Sequence, residues 1–194
     1  MPDSYGQLPD PTEIKPGRVS GFMGWAFSMP LGSARDLTAN ISPLGFELQF
    51  SGWITSNISV GVSGEWVTYV DERPRDTVTV EDTSITATQY NAMQTTSARL
   101  IAHYAFLSSG PVRPYVGPHI GVSWSTFDSE AADLVMSDTQ VSVNFGGEAG
   151  MEIPFGAYAP VGLVNLRYSV SPAAEFRNTV TNVQALSLLL GIGF

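Results

Sequence analysis

Leu186-Ser187-Leu188-Leu189-Leu190-Gly191-Ile192-Gly193-Phe194 is the stretch that decides how this chain is read. Leu186, Leu188, Leu190, Ile192 and Phe194 alternate with Ser187, Leu189, Gly191 and Gly193. A period of two sets the two groups on opposite faces of a strand. In water, a long apolar strand edge with nothing after it invites aggregation. The pattern makes sense if the apolar face meets lipid and Phe194 sits at the membrane–water boundary.

The same alternation recurs upstream. Arg18 to Met29 sets Val19, Met23, Trp25, Phe27 and Met29 against Arg18, Ser20, Gly24, Ala26 and Ser28. Gly45 to Ile54 sets Phe46, Leu48, Phe50 and Ile54 against Glu47, Gln49 and Ser51; Ile58 to Val70 follows, with Glu65 on its polar face. Ser97 to Phe106 carries Arg99 and His103 on its polar face, and Arg113 to Thr126 carries His119 and Ser123. Val141 to Ile153 is the cleanest, opposing six apolar residues to Ser142, Asn144, Gly146, Glu148, Gly150 and Glu152. Gly162 to Val170, with Arg167, and a last strand from about Asn182 make eight. Thr55 to Asn57, Leu107 to Val112 and Pro154 to Ala159 are short connections. Pro30 to Leu44, Asp71 to Gln94, Asp128 to Gln140 and Ser171 to Thr181 read as long polar loops. Short turns at one end and long loops at the other predict an all-β, eight-stranded antiparallel up-and-down transmembrane barrel.

Composition agrees. Charged residues make up 14 % of the 194, well below a soluble domain's usual share. Hydrophobic content is 43 %, and no run approaches the ~18 apolar residues of a membrane helix. Mean hydropathy is only +0.07, because in such a barrel every second strand residue faces lipid. Cysteine is absent, which excludes disulfides, thiol catalysis and cysteine metal sites. Met1-Pro2-Asp3-Ser4 has neither a basic start nor an apolar core, so the expectation is that an export signal was removed ahead of it. Residues 1–16, with four prolines among polar residues, read as an extended periplasmic tail, and 17–194 as the barrel. With odd strands running outward, Trp25, Phe46, Trp66, Trp124 and Tyr168 fall near the outer end, and Tyr104, Phe106 and Phe194 near the periplasmic end. Two aromatic belts are what a membrane barrel carries. Trp53 is the exception, on the polar face near a periplasmic turn.

On this strand pattern, the Arg113-Pro114-Tyr115-Val116-Gly117 strand opening and the terminal Phe194, residues from about Arg18 onward resemble the small bacterial outer-membrane barrels of the OmpA/OmpX- and OmpW-like group. The resemblance implies insertion by the outer-membrane assembly machinery of Gram-negative bacteria. Ser187, Ile192 and Phe194 match the C-terminal signal that machinery reads, while Leu189 stands where a glycine is expected. The fold hosts adhesins, pores, enzymes and anchors, so the resemblance does not fix a function.

The polar faces gather Glu47, Glu65, Glu148 and Glu152 against Arg18, Arg99 and Arg167, with His103 and His119. An eight-stranded barrel is just wide enough for side chains to fill it, and a buried charge needs a partner. The expectation is a charge network that plugs the lumen; the alternative is an OmpW-like narrow pore passing Arg99 and Glu148. The inward glycines, Gly61, Gly117, Gly121, Gly146 and Gly150, relieve crowding or leave space. His119 and Ser123 lie ~13 Å apart along one strand, too far for a direct hydrogen bond. His103 with Glu148 or Glu152 completes a triad only loosely, so no catalytic residue, metal or cofactor is assigned.

Most of the net charge of −9 lies in Asp128 to Gln140 and in the Asp71 to Gln94 stretch. Nothing basic clusters, which argues against nucleic acid. Thr77 to Val80 and Ser84 to Thr88 are β-branched and alternate, so a hairpin extending above the membrane is one reading of that stretch, a plain loop the other. The expected partners are outer-membrane lipids, lipopolysaccharide and proteins meeting the loops or tail. The expected role is structural or interactive rather than enzymatic. A soluble lipocalin-like barrel is a further alternative, and it requires the apolar face to point inward.

Overall fold

The computed structural model describes residues 13–38, 40–80, 83–131, 134–155, 160–176 and 179–193, with the backbone alone along the outermost parts of the hairpins. The strands are β1 (Val19–Leu31), β2 (Leu44–Trp53), β3 (Ile58–Val80), β4 (Thr83–Ala105), β5 (Arg113–Ala131), β6 (Leu134–Pro154), β7 (Val161–Phe176) and β8 (Thr179–Gly193). Each pairs antiparallel with the next, and β8 closes on β1 through Met23↔Ile192 to Leu31↔Gln184. One helical turn, α1 (Ala34–Leu37), lies between β1 and β2.

The faces are inverted relative to a soluble protein. Leu100, Val141 and Ile192 are 60–62 % exposed, while Glu47, Glu65, Arg99, Glu148 and Arg167 are buried. A lipocalin-like barrel needs the opposite sidedness, and this burial overturns that alternative. The expected belts fall on the outer face. Trp25↔Phe46, Phe46↔Trp66, Trp66↔Thr96 and Thr96↔Trp124 are cross-strand neighbours, so one girdle runs level across five strands. Tyr168 is exposed on the same face, and Tyr104 stacks edge-on with Phe106 at the other end. Phe194 lies outside the described residues.

Three expected loops are strands. The β3–β4 ladder continues to Val80↔Thr83, β5–β6 to Ala131↔Leu134 and β7–β8 to Phe176↔Thr179. Above an apolar belt neither face has to be apolar, so alternation is confined to short runs such as Thr77 to Val80 while the backbone ladder persists. The register shifts between Arg73 and Asp76, and between Ser171 and Ala174. Pro74 and Pro172 lie in those two gaps, where a residue without an N–H belongs. At the short-turn end, Thr55 Oγ1 accepts from the N–H of Asn57 (3.2 Å) and of Ile58 (3.0 Å), which fixes the β2–β3 turn.

Four inward glycines mark where neighbouring backbones crowd the wall. A Cβ on Gly61, Gly117, Gly121 or Gly146 would sit 1.8–2.1 Å from a carbonyl oxygen of the next strand. These glycines permit close strand approach rather than leaving space.

Candidate functional site

The polar faces converge in the lumen. Register alone creates a problem there: Glu47 on β2 stands directly opposite Glu65 on β3. Like charges so placed repel. Arg167 reaches them from β7. Its Nη1 and Nη2 donate to both oxygens of Glu47, Nη2 to Oε1 at 2.7 Å, and its Nε donates to Glu148 Oε2 at 2.6 Å. Its guanidinium also lies 3.9 Å from Glu65 Oε2. Arg99, from β4, donates to Glu65 Oε2 (2.5 Å) and to Asn144 Oδ1 (2.7 Å). Glu148 further meets His103 Nε2 and accepts from Asn165 Nδ2 at 3.0 Å. Arg99–Glu65 and Arg167–Glu148 join neighbouring strands, while Arg167–Glu47, His103–Glu148 and Arg99–Asn144 knit the network across the barrel.

Expected members that stand apart are Arg18, Glu152 and His119. Glu152 pairs with Arg113 at 2.9 Å near the short-turn end, and the charge of half-buried Arg18 acts on both. Arg113 was not foreseen in the lumen, although it shares the odd-numbered inward face with Tyr115 and His119. His119 Nε2 lies 3.2 Å from Ser169 Oγ, and Ser123 bonds Ser97 at 2.8 Å. His103 turns to Glu148 and stacks on Tyr115 with ring centroids 4.5 Å apart. The loosely sketched Ser–His–carboxylate set is therefore not assembled among these residues.

Above and below the charges lie two apolar clusters. One joins Ala26, Val67, Tyr69, Met93, Phe127, Val183 and Leu189 with Ala34 of α1, which folds into the long-hairpin mouth. The other joins Phe22, Trp53, Ala105, Tyr115, Val161 and Leu163 with Ile14, from the chain before β1. Trp53, the aromatic out of place in the sequence, belongs here, its Nε1 donating to Ser20 Oγ at 3.3 Å. Between the clusters, a lumen cavity beside Glu65, Arg99 and Asn144 measures only about 30 Å³. In the expected assembly signal, Ser187 faces inward and bonds Ser28 at 2.9 Å, Ile192 faces outward, and Leu189 is buried inward.

No protein-family model and no curated protein sequence matches the chain. Solved structures do. The outer membrane protein OprG from Pseudomonas aeruginosa aligns with a TM-score of 0.58 at 14 % identity, over 94 % of this chain and 97 % of that one. Ail, the attachment invasion locus protein of Yersinia pestis, aligns with a TM-score of 0.56 at 13 % identity, over 92 % and 97 %. Neisserial surface protein A aligns with a TM-score of 0.56 at 17 % identity, over 90 % and 95 %. The likeness is one of architecture: this chain has the fold of the small eight-stranded outer-membrane barrels.

Proposed function

We propose that this chain is an integral, non-enzymatic protein of the bacterial outer membrane, with a closed lumen and its working surface on the outer hairpins. The observation that carries the reading is the combination of an apolar, aromatic-girdled outer wall with an interior filled by paired charges between two apolar clusters. Such a wall belongs in lipid. Lipid and lipopolysaccharide surround it, and the assembly machinery inserts it through the Ser187, Ile192 and Phe194 signal. A cavity of about 30 Å³ holds water and nothing larger. What remains for interaction is the outer end, where Glu72, Asp128 and Glu130 are exposed.

That end also sets the kind of partner. Ail has been crystallised with the heparin analogue sucrose octasulfate, a polyanion. The hairpins of this chain are acidic, so its partners are cationic or neutral surfaces rather than sulfated sugars.

Planar-bilayer recording of purified, inserted protein tests the closed lumen, with Arg99→Ala alongside. The expected result is no steady conductance from the wild type. Steady wild-type openings that Arg99→Ala alters would replace this reading with a narrow pore.

A further inference from the structure

We propose that residues 13–18 are a removable strap that seals the short-turn mouth of the barrel, with Ile14 as its stopper. The proposal rests on the closed-lumen reading and adds a moving part to it.

The geometry begins with Lys15-Pro16-Gly17-Arg18. The N–H of Arg18 donates to the carbonyl of Lys15 at 3.1 Å, and Gly17 holds φ at +85°. Proline second and a positive-φ glycine third make a type II turn. The turn folds the chain back beneath the barrel instead of letting it run away from β1. Three backbone bonds then clamp it, one of them from the N–H of Trp53 to Arg18 O at 2.9 Å. The N–H of Gly17 donates to Trp53 O at 2.7 Å, at the end of β2. The N–H of Ile14 donates to Ser108 O at 2.8 Å, in the turn joining β4 to β5. In an eight-stranded ring β1 faces β5, so the segment crosses the mouth.

Burial shows what the crossing does. Glu13 and Lys15 are exposed, whereas Ile14 between them is 1 % exposed and belongs to the buried cluster with Phe22, Trp53, Tyr115 and Leu163. One aliphatic side chain is inserted and its neighbours stay in solvent. The strap is held by one buried side chain, one turn and three clamping bonds, whereas each wall strand is laddered on both sides. It is therefore the element of this mouth that opens at least cost.

The test uses the absence of cysteine in this chain. Ser51, inward on β2 and buried close to Trp53, becomes the single thiol in Ser51→Cys. Its rate of reaction with a charged, membrane-impermeant thiol reagent is measured on folded protein in micelles. The same measurement follows in Ile14→Asp and in a chain lacking residues 1–16, with folding checked by the heat-dependent shift in gel mobility. Exposed Ser137→Cys on β6 serves as the control. The expected result is a rate about tenfold or more higher at position 51 in both strap variants, since burying one aliphatic side chain supplies at least that factor, with position 137 unchanged. Equal rates at position 51 in folded protein would overturn the proposal. Failure of both variants to fold would also overturn it, by making the segment part of the barrel's own structure. If only Ile14→Asp fails to fold, the shortened chain decides. Steady wild-type conductance would instead fault the closed-lumen reading, which the labelling rates do not measure.

Discussion

Arg167→Met is the substitution that most directly tests the lumen. The guanidinium is wholly buried and serves Glu47 and Glu148 together. Its loss is unequal among the acids. Glu148 keeps His103 and Asn165, and Glu65 keeps Arg99. Glu47 loses the partner of both its oxygens while still facing Glu65 across the β2–β3 ladder. Removing one partner of a buried ion pair costs ~3–5 kcal/mol, because the other charge is left uncompensated. Equilibrium unfolding in urea, with the barrel in lipid vesicles and followed by tryptophan fluorescence, measures it. With a slope of ~2 kcal/mol per molar, a loss of ~4 kcal/mol lowers the midpoint by ~2 M. Adding Glu47→Gln removes the stranded charge and leaves a buried amide short of partners, worth ~1–3 kcal/mol. The double variant is therefore expected to be ~2 kcal/mol more stable than Arg167→Met alone. A loss under ~1 kcal/mol for Arg167→Met, or no recovery in the double variant, would refute the reasoning.

Other substitutions separate the wall from its contents. In Gly121→Ala the new Cβ would lie 2.0 Å from Ala98 O and 2.7 Å from Arg99 Cα, both backbone, whereas at Gly64 the nearest atom is 4.0 Å away. Gly121→Ala is expected to cost at least ~2 kcal/mol and Gly64→Ala under ~0.5 kcal/mol, read as folded yield and urea midpoint. Leu100→Arg, on the outer wall, is expected to cost ~2–4 kcal/mol in a bilayer, whereas Ser137→Arg on the β6 hairpin changes stability by under ~0.5 kcal/mol in the same assay. Trp53→Ala empties the centre of the short-turn cluster and is expected to cost ~3–5 kcal/mol by urea unfolding.

The outer wall was legible because lipid imposes one rule on every outward residue. Val141, Val143, Phe145, Ala149, Met151 and Ile153 obey it, and the even-numbered residues between them carry the lumen groups of β6. The lumen was legible only in its composition. Arg113 opens its strand beside Pro114 and reads as part of the strand opening rather than as a lumen charge, although its parity with His119 places it inside. Phe22, Ile101, Tyr115 and Leu163 break the alternation by being apolar on the polar face; all four are buried, and three of them close the short-turn mouth with Ile14. Hairpin tops such as Thr77 to Val80 alternate over only four residues, too short a run to separate a hairpin from a plain loop. Which acid meets which base was out of reach, because Arg167 on β7 finds Glu47 on β2 only once the sheet has closed.

That last dependence gives the ionic cluster a part in specifying the fold. The β2–β3 hairpin on its own holds Glu47 against Glu65 and gains nothing electrostatically from forming. Arg99, on the adjacent β4, serves Glu65 as soon as β3 and β4 pair, but Arg167 reaches Glu47 from β7, so Glu47 gains its counter-charge only in the closed ring. A slip of β7 by one residue would turn Arg167 to the outer face and bring Leu166 or Tyr168 inward. It would strand Glu47 inside and place a guanidinium in lipid, two penalties of several kcal/mol each. Apolar outward positions also resist that slip, but a two-residue slip would leave them all outward. The Arg167–Glu47–Glu148 geometry opposes that second error as well, because two residues of translation (~6.6 Å) carry the guanidinium out of hydrogen-bonding range of both acids. The alternation therefore sets which face is out, and the buried charges set which of the registers sharing that face is adopted.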